Sequence, residues 1–185
     1  MRLFGEKGYR GTSVAQIEAA AGLTPGAGGL YHHFSSKEAL LAAGIERHLA
    51  RLDALRDIRR LLTNLGDLRA ELSVTARYFL AELDSQMELF RLLISEVRAR
   101  PSMLTQAADQ LVASTYRSFA EWLQSATGQA LSEERATMIA TLSLGSLLST
   151  RFVGGVLGLE SVAIDDDAIV PAWVDMVVAT LNLPG

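Results

Sequence analysis

The chain has 185 residues, enough for one large or two small domains, and 49% are hydrophobic, so a sizeable core can be buried. It has no cysteine, which excludes disulfides and thiolate metal sites and fits a cytoplasmic location. The formal net charge is −4, but it is segregated. Residues 1–60 carry nine Lys and Arg against six Asp and Glu, a net +3, while residues 61–185 carry eight against fifteen, a net −7. A polyanionic partner would therefore meet the N-terminal third. The opening MRLFGEKGYR holds no long apolar run, so it lacks a signal-peptide pattern.

Met1 to Lys7 reads as the end of a first helix, with Leu3 and Phe4 as core contacts and Gly8 as its stop. Ser13 to Gly22 reads as a second. Val14, Ile17 and Ala21 share one face, Ser13 and Gln16 fit a capping box, and Gly22 ends it. Thr24 is placed to cap a third helix that runs to about Phe34, with Pro25 in its first turn. Two short helices across a glycine turn are the pattern of a helix-turn-helix.

The run GYRGTSVAQIEAAAGLTPGAGGLYHHFSSKEALL resembles the DNA-binding domain of TetR-family transcriptional regulators. The likeness rests on Gly8, Tyr9, Thr12, Ile17, Ala21 and Gly22, then on Leu30, Tyr31, Phe34 and Lys37. In that family the first helix is longer and follows a basic arm, which suggests a chain shortened at its start. The TPGAGG stretch is longer than the family's usual connection, which bears on the length and tilt of the recognition helix.

Ser35 and Glu38 form a second capping box, opening a helix to about Leu62 with Leu41, Ile45, His48 or Leu49, Leu52 and Leu55 on one face. From Ser36 to Arg60 it would be about 37 Å long, and in the family it connects reader to body. Asn64 and Gly66 break it. Asp67–Asp84 and Gln86–Arg98 read as two further amphipathic helices, and Pro101 to Thr127 as another, ended by Gly128. Ser132 caps a helix that is apolar almost all round from Ala136 to Leu159. Its length invites a transmembrane reading. Arg151 and its five hydroxyl residues favour burial on both sides instead, against the bundle and a second subunit. The last helix is expected from Pro171 to Leu181.

Asp165, Asp166 and Asp167 could bind a metal, but one short run offers a hard cation few ligands, and the start of a helix favours such charges anyway. His32 and His33 are adjacent and cannot share a helix face. GAGG lacks the lysine of a phosphate loop, and no nucleophile, acid-base or metal-ligand constellation appears. An enzyme is not indicated, and no cofactor is called for.

The resulting expectation is an all-α protein, with a three-helix helix-turn-helix domain over 1–46 and a helical-bundle ligand-binding and dimerisation domain over 47–185. The resemblance implies a homodimeric repressor, released from a palindromic operator by a small ligand. The DNA-facing residues would be Thr12, Thr24, Pro25, Gly26, Ala27, Gly28, Tyr31, His32 and Lys37. Thr24 would read bases. Tyr31, His32, Lys37 and Thr12 would hold phosphates. An aromatic group of Phe79, Phe90, Tyr116, Phe119 and Trp122 would line a mainly apolar inducer pocket. The dimer would form through Thr137–Gly158 and Pro171–Leu181. The rival reading is a helical small-molecule-binding protein that has lost specific DNA recognition.

Overall fold

The computed structural model describes residues 1–47, 66–96, 104–105, 109–155, 158 and 164–182. Among these residues the chain is helical, with no strand. It divides into two compact units, and a single cut does not separate them. The first holds Met1–Asp53 and Gln86–Asp109, and the second holds Ala54–Ser85 and Gln110–Gly185.

The first unit opens with α1 (Arg2–Gly11), which is broken at Gly8, as the sequence suggests. Gly8 sits at φ 69° and ψ 170°, a region nearly closed to other residues. Helix α2 (Val14–Ala20) carries the expected capping box. Ser13 Oγ accepts from Gln16 N–H, and the Gln16 side chain accepts from Ser13 N–H. After a turn and the one-turn helix Gly29–His32 comes α3, described over 37–47. Its cap is Ser36, whose Oγ accepts from Ala39 N–H, one residue later than the expected Ser35. The rest of the 25-residue connector lies outside the described residues. Phe4 and Tyr9 stack with ring centroids 5.8 Å apart, and Leu30, Leu41, Ile45, Leu89 and Leu92 are buried with them in this unit. Gly5 permits a close approach: a Cβ there would lie 2.8 Å from the Glu88 carbonyl oxygen.

Helix α4 (Leu68–Glu96) supplies both units. The sequence suggests two helices with a break at Ser85. The chain instead continues, because neither Gly nor Pro interrupts it and the Ser85 hydroxyl bonds back to the Glu82 carbonyl. Asp67 starts it, its carboxylate accepting from Arg69 and Ala70 N–H.

In the second unit, α4 is joined by one wide π-type turn (Asp109–Ala113), α5 (Ser114–Ala126), α6 (Glu133–Gly155) and α7 (Asp166–Leu181). The core runs through Leu72, Leu80, Phe119, Leu123, Ile139, Leu144, Leu147, Trp173 and Val177. Burying each such side chain contributes about 1.5–3 kcal/mol. Trp173 Nε1 donates to the Ser143 carbonyl at 2.7 Å, which pairs the polar end of a buried ring.

Helix α7 begins five residues before the expected Pro171, which lies inside it. Asp165 is the cap, accepting from Asp167 N–H at 2.8 Å. That cap and two acidic residues in the first turn fix the start, while Pro171 forgoes one helix hydrogen bond. The acidic run is thus used locally. Asp166 pairs with Arg151 and Asp167 with Arg77. Arg151 also pairs with Asp84. Burial alone would lower the Arg151 pKa, but hydrogen bonds and charge from Asp166 and Asp84 outweigh it and hold the guanidinium above its ordinary value. Among the described residues α6 is long and apolar enough to cross a membrane. Its inner face, including Ile139, Leu144 and Leu147, belongs to the bundle core. Thr141, Ser143, Ser146, Ser149 and Thr150 return their hydroxyls to carbonyls of the preceding turn.

Candidate nucleic-acid interface

The end of α2 sets the geometry. Gly22 has φ 73°, Leu23 N–H reaches the Glu18 carbonyl at 2.8 Å, and Gly22 N–H reaches Ala19 at 3.2 Å. This pair of bonds is a Schellman close, and glycine supplies its left-handed residue. The chain then makes a second turn, in which Ala27 N–H bonds to the Thr24 carbonyl at 3.2 Å. Pro25 and Gly26 are its central residues, and Gly26 has φ 77°. Proline followed by a positive-φ glycine is the chemistry of a type II turn.

The expected helix from Thr24 to Phe34 is therefore reduced to the single turn Gly29–His32. Pro25 serves as a turn residue and not as the first residue of a helix. Gly26, Gly28 and Gly29 would each cost about 1 kcal/mol in a helix interior. Gly28, also at φ 77°, gives the one-turn helix its entry.

Residues 21–27 are all exposed, including the expected readers Thr24, Pro25, Gly26 and Ala27, while Gly28 is half-buried. Tyr31 is 54% exposed, and His32 is exposed beside it. Thr12 is different. It is fully buried, and its hydroxyl donates within the domain to the Leu3 and Gly8 carbonyls at 2.9 and 2.8 Å. Its side chain ties the kinked end of α1 and is turned away from any phosphate. Lys37 is half-buried, with its ammonium donating to the Tyr9 carbonyl and lying 4.1 Å above the Tyr9 ring centre. It braces the start of α3 against α1.

Sequence reasoning passed over Glu18. It is fully buried, and its two carboxylate oxygens accept from Gly26 N–H at 2.6 Å and Leu30 N–H at 3.1 Å. No spacing rule links a helix residue to amides eight and twelve positions later. The available signal was a charge on the apolar side of α2, between Ile17 and Ala21.

The aromatic group is not one cluster. Phe90 falls in the first unit, and Phe79, Tyr116, Phe119 and Trp122 fall in the second. Phe119 is core, 5.5 Å from Trp122 and 6.1 Å from Trp173 between ring centres. Phe79, Tyr116 and Trp122 are partly buried against that core, and burial raises the Tyr116 pKa above its usual value. A half-open cleft of about 330 Å³ lies elsewhere, in the first unit, lined by Met1, Leu3, Phe4, Ile17, Leu40 and Gly44 among others.

Residues 1–43 match the family model described as bacterial regulatory proteins of the tetR family. The N-terminal segment is thus a TetR-family DNA-binding domain. The Transposon Tn10 TetC protein of Escherichia coli is 42% identical over 62 residues, 34% of this chain and 30% of that protein. The chain thus spans under a third of the curated relative it matches. The fold extends the likeness over the full chain. A protein from Mesorhizobium loti assigned to the TetR-family transcriptional regulators has a TM-score of 0.71 at 24% identity, covering 97% of this chain and 89% of that one. The fatty acid degradation regulator FadR from Bacillus halodurans has a TM-score of 0.67 at 18% identity, covering 98% and 92%. Residues 1–43 thus match a family of regulatory proteins, and the likeness over the rest of the chain is one of fold.

Proposed function

We propose that the chain is a homodimeric repressor that binds a palindromic operator through residues 24–31 and leaves it when a mainly apolar ligand binds the second unit. The observation that carries DNA contact is the exposed arc from Ala21 to Ala27, followed by exposed Tyr31 and His32, on a turn fastened at both ends. Within Thr24–Gly29 only Thr24 has a side-chain hydrogen-bonding group. Base readout through that arc is sparse, so backbone approach and DNA shape carry more of the preference. Tyr31, His32 and Lys37 supply phosphate contacts, and Thr12 supports them from inside the domain.

Dimerisation is supported by an apolar outer surface on α6 and α7. Met138, Leu142 and Met176 are 51%, 64% and 42% exposed. Two readers related by a two-fold axis would enter successive major grooves roughly 34–36 Å apart. The ligand would lie beside the partly buried Phe79, Tyr116 and Trp122, with Phe119 as the wall behind them. It would act by preferring a dimer whose readers are spread, and weaken DNA binding by its differential affinity for that state. The functional division is then 1–46 for DNA and 47–185 for ligand and partner, in the cytoplasm and without cofactor or catalysis.

The glycine turn that replaces the recognition helix favours one rival, a ligand-binding protein without specific DNA recognition. Selection of duplexes from random DNA, followed by gel shift on the recovered sequence, separates the two. A palindromic consensus is expected. A selection that yields no sequence enrichment would leave the rival standing.

A further inference from the structure

We infer that Glu18 is the positioning residue of the DNA-reading turn, and that its buried carboxylate takes over the ordering work of a recognition helix. This inference rests on the reading of residues 24–31 as the DNA contact. The segment Thr24–Gly29 has few means of holding itself in shape. Three of its six residues are glycine, one is proline, and its residues up to Ala27 are exposed. Within it, Ala27 N–H bonds to the Thr24 carbonyl at 3.2 Å. An exposed stretch of this composition is conformationally free, and ordering it on DNA would cost affinity.

Glu18 removes much of that freedom in advance. Its Oε2 accepts from Gly26 at the apex of the turn and its Oε1 from Leu30 at the start of the one-turn helix. The carboxylate thereby pins both ends of the stretch Gly26–Leu30 to one rigid point on α2. That point is itself fixed, since the Glu18 carbonyl takes the Leu23 amide in the Schellman close and the capping box holds the other end of α2. Leu30 is 5% exposed and anchors the following residues in the core. Tyr31 is next in the chain, so the clasp also sets where its exposed ring stands. Charged hydrogen bonds of this kind are stronger than neutral ones, and a carboxylate is the one side-chain group that accepts two amides with no donor of its own.

The test uses the full chain. Glu18→Gln retains size but has one acceptor oxygen, and its amide group faces the second N–H donor. Glu18→Ala removes both bonds, and Glu18→Asp retains the charge on a shorter stem. Three readouts are taken: amide hydrogen exchange at Gly26 and Leu30, melting temperature, and affinity for the duplex selected with the unmodified protein and for a scrambled duplex. In the unmodified chain both amides should exchange slowly despite the exposure of Gly26. In Glu18→Gln, whose volume preserves the fold, exchange at these two amides should speed up. Affinity for the selected duplex should fall about tenfold or more, as expected for loss of a hydrogen bond to a charged group. Affinity for scrambled DNA should change far less, and the salt slope should remain, because no phosphate contact is removed. Glu18→Asp should fall between the two. Selected-duplex affinity that stays intact while exchange accelerates would overturn the positioning role and leave the DNA reading in place. Equal loss on selected and scrambled duplexes, in step with a fall in melting temperature, would reduce Glu18 to a structural residue. An unmodified protein that selects no duplex would remove the reading and this role together.

Discussion

The reader and the bundle solve opposite problems with different chemistry. The second unit is held by apolar surface, with α5, α6 and α7 closing over Phe119, Leu144, Leu147 and Trp173. The reader has almost no apolar surface to bury between Leu23 and Gly29. It is held by caps, left-handed glycines and one buried carboxylate. Surface burial is non-directional and tolerates small shifts, whereas hydrogen-bonded turns are directional and fail one bond at a time. Substitutions in the bundle should therefore act on stability, and those in the reader on where a few backbone groups stand.

The largest contrast lies on α6 itself. Leu147 is fully buried, so Leu147→Glu should place a charge in the core and yield unfolded or insoluble chain. Leu142, five residues earlier and 64% exposed, should behave otherwise. Leu142→Glu should retain helical circular dichroism and melting temperature while light scattering at micromolar concentration shows a monomer in place of a dimer. A monomer for the unmodified protein would end the dimer proposal.

Next in size is Trp173→Ala. It removes a ring packed at 6.1 Å from Phe119 together with its bond to the Ser143 carbonyl, so urea unfolding should report a loss of about 3–5 kcal/mol. DNA affinity per folded molecule should move little. A comparable loss of affinity would show that the reader depends on the bundle core.

Thr12→Val retains volume and removes the hydroxyl that serves the Leu3 and Gly8 carbonyls. A loss of about 1–3 kcal/mol in stability is expected. Its DNA salt slope should match that of the unmodified protein. A uniform loss of affinity on selected and scrambled duplexes, measured per folded molecule, would restore Thr12 as a phosphate contact.

The smallest effects should come from Lys37→Ala and Thr24→Ala. Loss of the Lys37 ammonium should lower affinity for all duplexes and reduce the salt slope by about one. A lower melting temperature with an unchanged slope would assign Lys37 wholly to its bond with Tyr9. Thr24→Ala should alter sequence preference and leave the slope alone.

Local chemistry determined more of this protein than its composition did. The capping box at Ser13, the stops at Gly8, Gly22 and Gly128 and the family likeness of the N-terminal segment are all local patterns, and all are present. A cap or a stop is decided by groups within a few residues, so the sequence displays it directly. Where two local patterns competed, only the fold chose. Thr24-Pro25-Gly26 can open a helix or form a turn, and the Glu18 carboxylate beneath it stabilises the turn. Asp165 and Pro171 can each start a helix, and pairing of Asp166 and Asp167 with Arg151 and Arg77 accompanies the earlier start. Thr12 and Leu147 look available on a one-dimensional pattern because periodicity identifies a face without saying what covers it. Burial is a property of contacts between distant segments, and it came only with the tertiary structure.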